Sequence, residues 1–312
     1  MAVIEIDKIG VIGYITKDII KKKFYGTVEE KVGGKSYYCS LALANLGVQA
    51  VVFNKVGMDD FDLLDNLKHE NIELVNFISD RTPEFENVFL DRDLEEREYK
   101  AVNDSFVYSV DILEEHIAKL KECKYVHLAL GKNNEIPLDS VRYLRNNLSN
   151  SMISLDVEHL LFENVDGSLE SYLNPDLSGI IENVDILQVS RRHLSDIADN
   201  LNIAYAGDIC DMAESLSERG PQTVIVTQGY RGSIINSAGK FYHIEPSYVE
   251  DIVDTTGAGD THIACFLHGM MIYGDDVKLA GNYAAYLTAK KIENGGPLPA
   301  GDYSSSFSRK MT

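Results

Sequence analysis

Short runs of aliphatic and β-branched residues recur along the chain at Lys8–Ile12, Val51–Val56, Tyr125–Leu128, Ile153–Leu155, Ile186–Val189 and Val224–Thr227. Segments with helical spacing separate most of them. Parallel strands need long crossovers, and a sheet built that way is covered on both faces, so the alternation predicts an α/β chain with a central, mostly parallel sheet flanked by helices. Two regions break the rhythm. Thr27–Val32 reads as a strand, and so do Phe85–Leu90 and Arg97–Ala101 on either side of the charged segment Asp91–Glu96. A small sheet of this size is not stable alone in water. These strands are therefore expected to form a lid, from about residues 14–35 and 84–103, that covers the main body or pairs with a second subunit in a homodimer. With no repeat or Pro-rich linker, residues 1–312 read as one domain carrying this lid, and the tail from Pro297 reads as less ordered.

Composition narrows the function. The formal net charge of −20 excludes a nucleic-acid groove, which depends on a surplus of Lys and Arg, and leaves small molecules or other subunits as partners. The basic run Lys21–Lys23 reads as a solvated strand or helix end. Cys39, Cys123, Cys210 and Cys265 lack C-x-x-C spacing, which points to reduced thiols in a cytoplasm. Ile9–Ile15 is too short for a signal segment, and no later apolar run reaches the length of a membrane span.

The strongest chemical signal is Asp254-Thr-Thr-Gly-Ala-Gly-Asp260. Ile263, Phe266, Leu267, Met270 and Met271 follow at the spacing of one buried helix face, so a glycine turn opens a helix. Free N–H groups at a helix start, with the helix dipole behind them, favour an anion without any lysine, and Gly257 and Gly259 let a phosphate reach the backbone. Asp260, in the first turn, stands where it can accept the proton of a hydroxyl attacking a phosphoryl group. The same features also fit a tight turn with a favourable first-turn carboxylate. The G-x-x-x-x-G-K-[ST] loop is missing, which excludes an ordinary P-loop enzyme.

Asp254–Asp260 resembles the C-terminal signature of the ribokinase-like, or PfkB, family of carbohydrate kinases. A second family pattern is carried by Gly33-Gly34-Lys-Ser-Tyr-Tyr-Cys-Ser-Leu-Ala-Leu-Ala-Asn-Leu-Gly47 with Val56-Gly57-Met-Asp59-Asp60. Further matches are Gly13 with Asp18, Val226-Thr227-Gln-Gly229 with Gly232, and Gly281-Asn282-Tyr-Ala-Ala. The resemblance covers about residues 8–297. It implies an ATP-dependent kinase that phosphorylates a hydroxyl of a sugar, cyclic polyol or nucleoside, and so acidic a chain is expected to need Mg²⁺ to offset its repulsion of the nucleotide. Asp260 would be the base and Gly257, Ala258 and Gly259 the anion hole. Asp18, Gly33, Gly34, Tyr38 and, in the lid, Arg97 would meet the alcohol. Thr227, Gly229, Gly232 and Asn282 would lie along the nucleotide.

The chain also departs from the family. Where members carry Asn-x-x-Glu, it has Ser190-Arg191-Arg192-His193, which leaves the metal ligands unassigned; Arg191 or Arg192 reads as a direct phosphate contact or as part of a solvated helix start. His193 reads as a metal-water holder or an exposed surface residue. Tyr38 replaces the asparagine of ribokinase-type members and, with Tyr37, favours an inositol-like ring, although either tyrosine also suits packing beside Leu41. His262 beside the base reads as a substrate contact or a space filler. A catalytically weak nucleotide-binding or regulatory protein of the same fold is the competing reading.

Overall fold

The structure is a computed structural model describing residues 8–89, 97–102, 104–274 and 276–311. Along the chain run β1 (Lys8–Gly13), β2 (Thr16–Lys22), β3 (Thr27–Gly33), α1 (Lys35–Asn45), β4 (Gln49–Gly57), β5 (Ile72–Ser79), β6 (Glu84–Phe89) and β7 (Arg97–Val102). Next come α2 (Val110–Leu120), β8 (Cys123–Ala129), α3 (Leu138–Asn147), β9 (Met152–Asp156), β10 (Phe162–Val165), β11 (Ser168–Ser171), α4 (Leu177–Glu182) and β12 (Ile186–Ser190). The C-terminal third holds α5 (Leu194–Leu201), α6 (Ile209–Ser217), β13 (Thr223–Thr227), β14 (Ser233–Ser237), β15 (Lys240–Ile244), α7 (Ala258–Tyr273), α8 (Val277–Ile292) and α9 (Tyr303–Met311).

Nine strands form the main sheet in the order β15-β14-β13-β12-β9-β8-β1-β4-β5. It is parallel from β5 to β13, and β14 and β15 add an antiparallel edge. Because both faces are covered, the central strands are buried almost residue for residue: β1, β8, β9 and β12 each have at most one residue that is not buried. Alternation divides β1 between two cores. Ile12 faces the core containing Leu113 and Leu120 of α2, Leu144 of α3, Ile197 of α5 and Leu216 of α6. Ile9 and Val11 face the core containing Leu43 of α1, Phe266 of α7 and Leu287 of α8.

The four strands outside this rhythm form a separate sheet, β3-β2-β6-β7, antiparallel except between β2 and β6. Phe85 and Ala101 from it pack with Tyr14 from the loop after β1. Leu90 and Asp91–Glu96 lie outside the described residues. The hairpin β10–β11, which the hydrophobic pattern did not announce, pairs through its backbone with the end of this sheet, where Ala101 N–H donates to Gly167 O at 2.8 Å.

Two expectations change. Helix α7 is buried on all sides from Thr261 to Leu267, not on one face, because it lies against both α1 and α8. The tail is ordered: Leu298 is fully buried, and Phe307 on α9 inserts among Tyr273, Tyr283 and Tyr286. One large aromatic at the right spot docks a helix whose composition is otherwise polar.

Candidate active site

The turn before α7 is shaped by glycine. Gly257 has φ +73°, and any Cβ there would overlap the ring of Tyr38. Asp254 closes the turn by accepting Thr256 N–H at 2.8 Å. Ala258 N–H is donated to Thr255 O at 3.1 Å, so Ala258 does not offer its amide to a ligand. Among the described residues no hydrogen bond takes the N–H groups of Gly257, Gly259 or Asp260, and these three form the cradle.

Asp260 is half-buried at the first turn of α7. Burial pushes its carboxyl up to about 7; Lys35 opposes the shift, and the nearby Asp156 and Glu158 add to it. A carboxylate with that proton affinity is matched to general-base work near neutral pH.

Beside Asp260 lies a charge cluster that the sequence reading did not assemble. Lys35 opens α1 directly after Gly34, whose φ of +97° brings the chain against Tyr14 O, where no side chain fits. Its buried Nζ donates to Asp156 Oδ1 at 2.9 Å. Burial works against the ammonium, but Asp156, Asp260 and Glu158 outweigh it and raise its proton affinity. Gln188 donates through Nε2 to Asp156 Oδ2 at 2.9 Å and to Gly259 O at 3.0 Å, and its Oε1 lies 3.0 Å from His262 Nδ1. His262 is buried, and that burial pulls its imidazole down to about 4, so it stays neutral and braces Gln188. His193 is not an exposed surface residue. Its ring is mostly buried, with Nε2 3.1 Å from Glu158 Oε1, Nδ1 3.4 Å from Asp196 Oδ2, and an edge contact to Phe162.

Near Asp254 of the same turn, Asp18 projects from β2. It accepts Thr16 Oγ1–H at 2.6 Å, and burial pushes its carboxyl up to about 6, with the charge of Asp254 adding to the shift. Strand β2 therefore presents Asp18 toward the turn. Gly33 is required beside it, since a Cβ there would overlap the carboxylate of Asp18. Tyr38 is 5 % exposed and has its ring against Gly257, so it floors the cradle and leaves no open aromatic face for a substrate. Tyr37, like Leu41, packs against the cluster of Ile15, Val56 and Leu67. Arg97 lies on β7, and its side chain is outside the described residues.

Two residues beyond Gln188, the ends of β12 and β13 open a cavity of about 400 Å³ lined by Ser190, Arg191, Arg192, Thr227, Gly229 and Arg231, among others. Arg192 donates to Ser190 Oγ at 3.3 Å, and Arg231 lies on the ring of the exposed Tyr230. Among the described residues none of the three arginines pairs with a carboxylate, which is notable in so acidic a chain. Gly229 and Gly232 both have positive φ, and Gly232 lies against Ile244 O, so it serves the turn itself. Asn282 stands on α8 next to Gly281, which packs on Ile235 and Ile244; among the described residues no hydrogen bond links it to the cavity or the turn. The described residues contain no group of three His, Cys, Asp or Glu placed to hold a metal. Asp156 and Glu158 are engaged by Lys35 and His193, so the side chains of the described residues do not build a metal cage.

A doubly covered parallel sheet, a smaller sheet beside it, and an amide cradle with a protonatable carboxylate define a small-molecule kinase of the ribokinase-like fold. The family model "pfkB family carbohydrate kinase" matches residues 8–300, and the chain belongs to that family. Among relatives, the 5-dehydro-2-deoxygluconokinase of Bacillus subtilis is 21 % identical over 297 residues, covering 88 % of this chain and 86 % of its own. Among solved structures, a pyrophosphate-dependent kinase in the ribokinase family, in complex with sulfate, superposes with TM-score 0.80 at 23 % identity over 95 % of this chain and 99 % of its own. Ribokinase of Arabidopsis thaliana complexed with ribose and ATP superposes with TM-score 0.72 at 19 % identity, over 97 % and 98 %. No helix among the described residues is long and apolar enough to cross a membrane.

Proposed function

We propose that this carbohydrate kinase transfers a phosphoryl group to a hydroxyl of a small sugar or cyclic polyol, with Asp260 as general base and the amides of Gly257, Gly259 and Asp260 holding the transferred group. The observation that carries the reading is the pairing of free cradle amides with a half-buried Asp260 whose carboxyl is raised to about 7. Asp18, protected by Gly33, accepts hydrogen bonds from the alcohol and orients it. Asp260 takes the proton as the oxygen attacks, and the cradle meets the charge on the phosphoryl oxygens. Lys35 holds Asp156 beside the reaction. The four-stranded sheet with Arg97 acts as the lid of a single domain, excluding water that would otherwise take the phosphate. An inositol-like alcohol is favoured because a pyrophosphate-dependent kinase of this fold has been solved with myo-inositol.

The donor in this reading is ATP, with its phosphates at Thr227, Gly229 and the arginines, and its base near Asn282 and the exposed Tyr230. Mg²⁺ would arrive with the donor's phosphates, since the described residues offer no cage of their own. A second donor reading, pyrophosphate, is favoured by the same cavity: Arg191, Arg192 and Arg231 bring three guanidinium groups that carry phosphate charge directly.

The test is a screen of inositols, hexoses, pentoses and nucleosides for alcohol-dependent consumption of ATP or pyrophosphate, with Asp260→Asn as control. Turnover lost in the control supports the kinase, and the preferred donor decides between the two donor readings. Donor binding without any alcohol-stimulated turnover supports a regulatory protein instead.

A further inference from the structure

The mechanism leaves a buried cation beside the catalytic turn without a task. Lys291, on the last turn of α8, is fully buried. Its Nζ donates to the main-chain oxygen of Asp254 at 2.9 Å and stands 5.4 Å from the centroid of the Tyr38 ring. Among the described residues no carboxylate lies within ion-pair distance of it. A buried ammonium without a direct counter-ion is costly, and methionine would fill the same volume without the charge. Packing alone therefore does not explain a lysine here.

Its neighbours are those of the catalytic turn. Val253 N–H and Asp254 N–H both donate to Ile292 O, at 3.0 and 3.3 Å, so the end of α8 is fastened to the start of the turn at three points once Lys291 is included. The ring that Lys291 faces is the one Gly257 rests on. Burial lowers the proton affinity of Lys291; Asp254 and Asp260, from the turn and α7, favour its ammonium, and Lys31 from β3 opposes it. An ammonium has three N–H groups, and a single carbonyl occupies one.

We propose that Lys291 is a built-in monovalent cation of the phosphoryl-transfer site, a positioning residue that holds the Asp254 carbonyl and Tyr38 so that the Gly257–Asp260 cradle stays aligned and electropositive. The inference rests on the kinase reading but has a readout of its own. Truncating the side chain leaves a space bordered by a carbonyl and an aromatic face, which suits a small cation.

The experiment compares the full-length protein with its Lys291→Met and Lys291→Ala variants in alcohol-dependent turnover and in binding of inorganic phosphate by calorimetry. Each is measured in ammonium, potassium and tetramethylammonium chloride at equal ionic strength. Expected for Lys291→Met is a kcat about 10- to 100-fold lower, in the range below loss of a direct oxyanion donor, with KM for the alcohol unchanged and thermal stability not reduced. Lys291→Ala loses phosphate affinity and turnover together, and ammonium or potassium restores both while tetramethylammonium does not. Wild-type turnover and affinity with Lys291→Met, or equal rescue by all three salts, overturns the proposal. If Lys291→Ala does not fold, Lys291→Met decides. If the wild type shows no turnover while phosphate affinity still follows Lys291, the kinase reading fails, and what stands of this proposal is Lys291 as the cation that holds the anion cradle.

Discussion

Two clusters of buried charge lie on the same sheet, and they are built to opposite rules. In the first, Lys55 at the far half of β4 reaches Asp104 at 2.8 Å and Glu135 at 2.6 Å, Lys132 reaches Asp104 at 2.7 Å, and Ser79 adds a bond to Asp104 at 2.9 Å. Two cations face two carboxylates, all four at most 8 % exposed in their side chains. The second cluster gathers Asp156, Glu158 and Asp260 around Lys35 and His193 and opens toward the cradle. There Asp156 and Glu158 each have a cationic or imidazole partner, and among the described residues Asp260 has none in contact. Saturation makes the first cluster a fastening between β4, the loop after β8 and the chain leaving β7. The missing partner is what makes Asp260 available for a proton.

Substitutions separate the two roles, and the largest effect falls in the open cluster. Asp260→Asn lowers turnover on the order of 10²- to 10⁴-fold, the scale of a positioned base, while the protein remains folded by circular dichroism. Next comes Asp104→Leu, which strands Lys132, leaves Lys55 with Glu135 alone, and should cost about 3–5 kcal/mol in urea unfolding, without changing the pH dependence of any remaining activity. A third and smaller difference is in stability against pH. The folded carboxyl of Asp260 titrates near 7, well above an unfolded aspartate, so its contribution to stability is present in acid and is lost as pH rises toward 7. Asp260→Asn should therefore gain thermal stability relative to the wild type between pH 5 and 8, and equal pH slopes would place the carboxyl outside the low-dielectric site. The smallest effect belongs to the exposed pair Lys119–Glu73, whose removal should shift stability by less than about 1 kcal/mol. A larger loss there would mean that burial is not what separates fastening from catalysis.

The parts of this arrangement legible in the sequence are those where backbone geometry limits the residue. Gly34 and Gly257 have positive φ and close neighbours, so the paired glycines and the turn before α7 could be recognised from residue type alone. The parallel core was legible because β1, β8 and β12 are short, mostly aliphatic runs buried on both faces. The charge cluster was not, since Lys35 and Asp156 stand 121 positions apart and nothing local links them. Two anomalies could have marked it. A lysine at the first position of α1 runs against the helix dipole, and Lys291 falls on the stripe of Ala280, Ala284 and Leu287 where an apolar residue is expected. Tyr38 misled for a related reason: its identity suggested stacking on a substrate, whereas its partner is the backbone of Gly257, which only the folded chain brings near.

The most direct test is the pH dependence of alcohol-dependent kcat/KM between pH 5 and 9, with whichever donor supports turnover. The account predicts a rate that falls about tenfold per unit below a single ionisation near 7, because protonated Asp260 cannot accept the hydroxyl proton. A rate that stays level down to pH 5 would contradict Asp260 as the base.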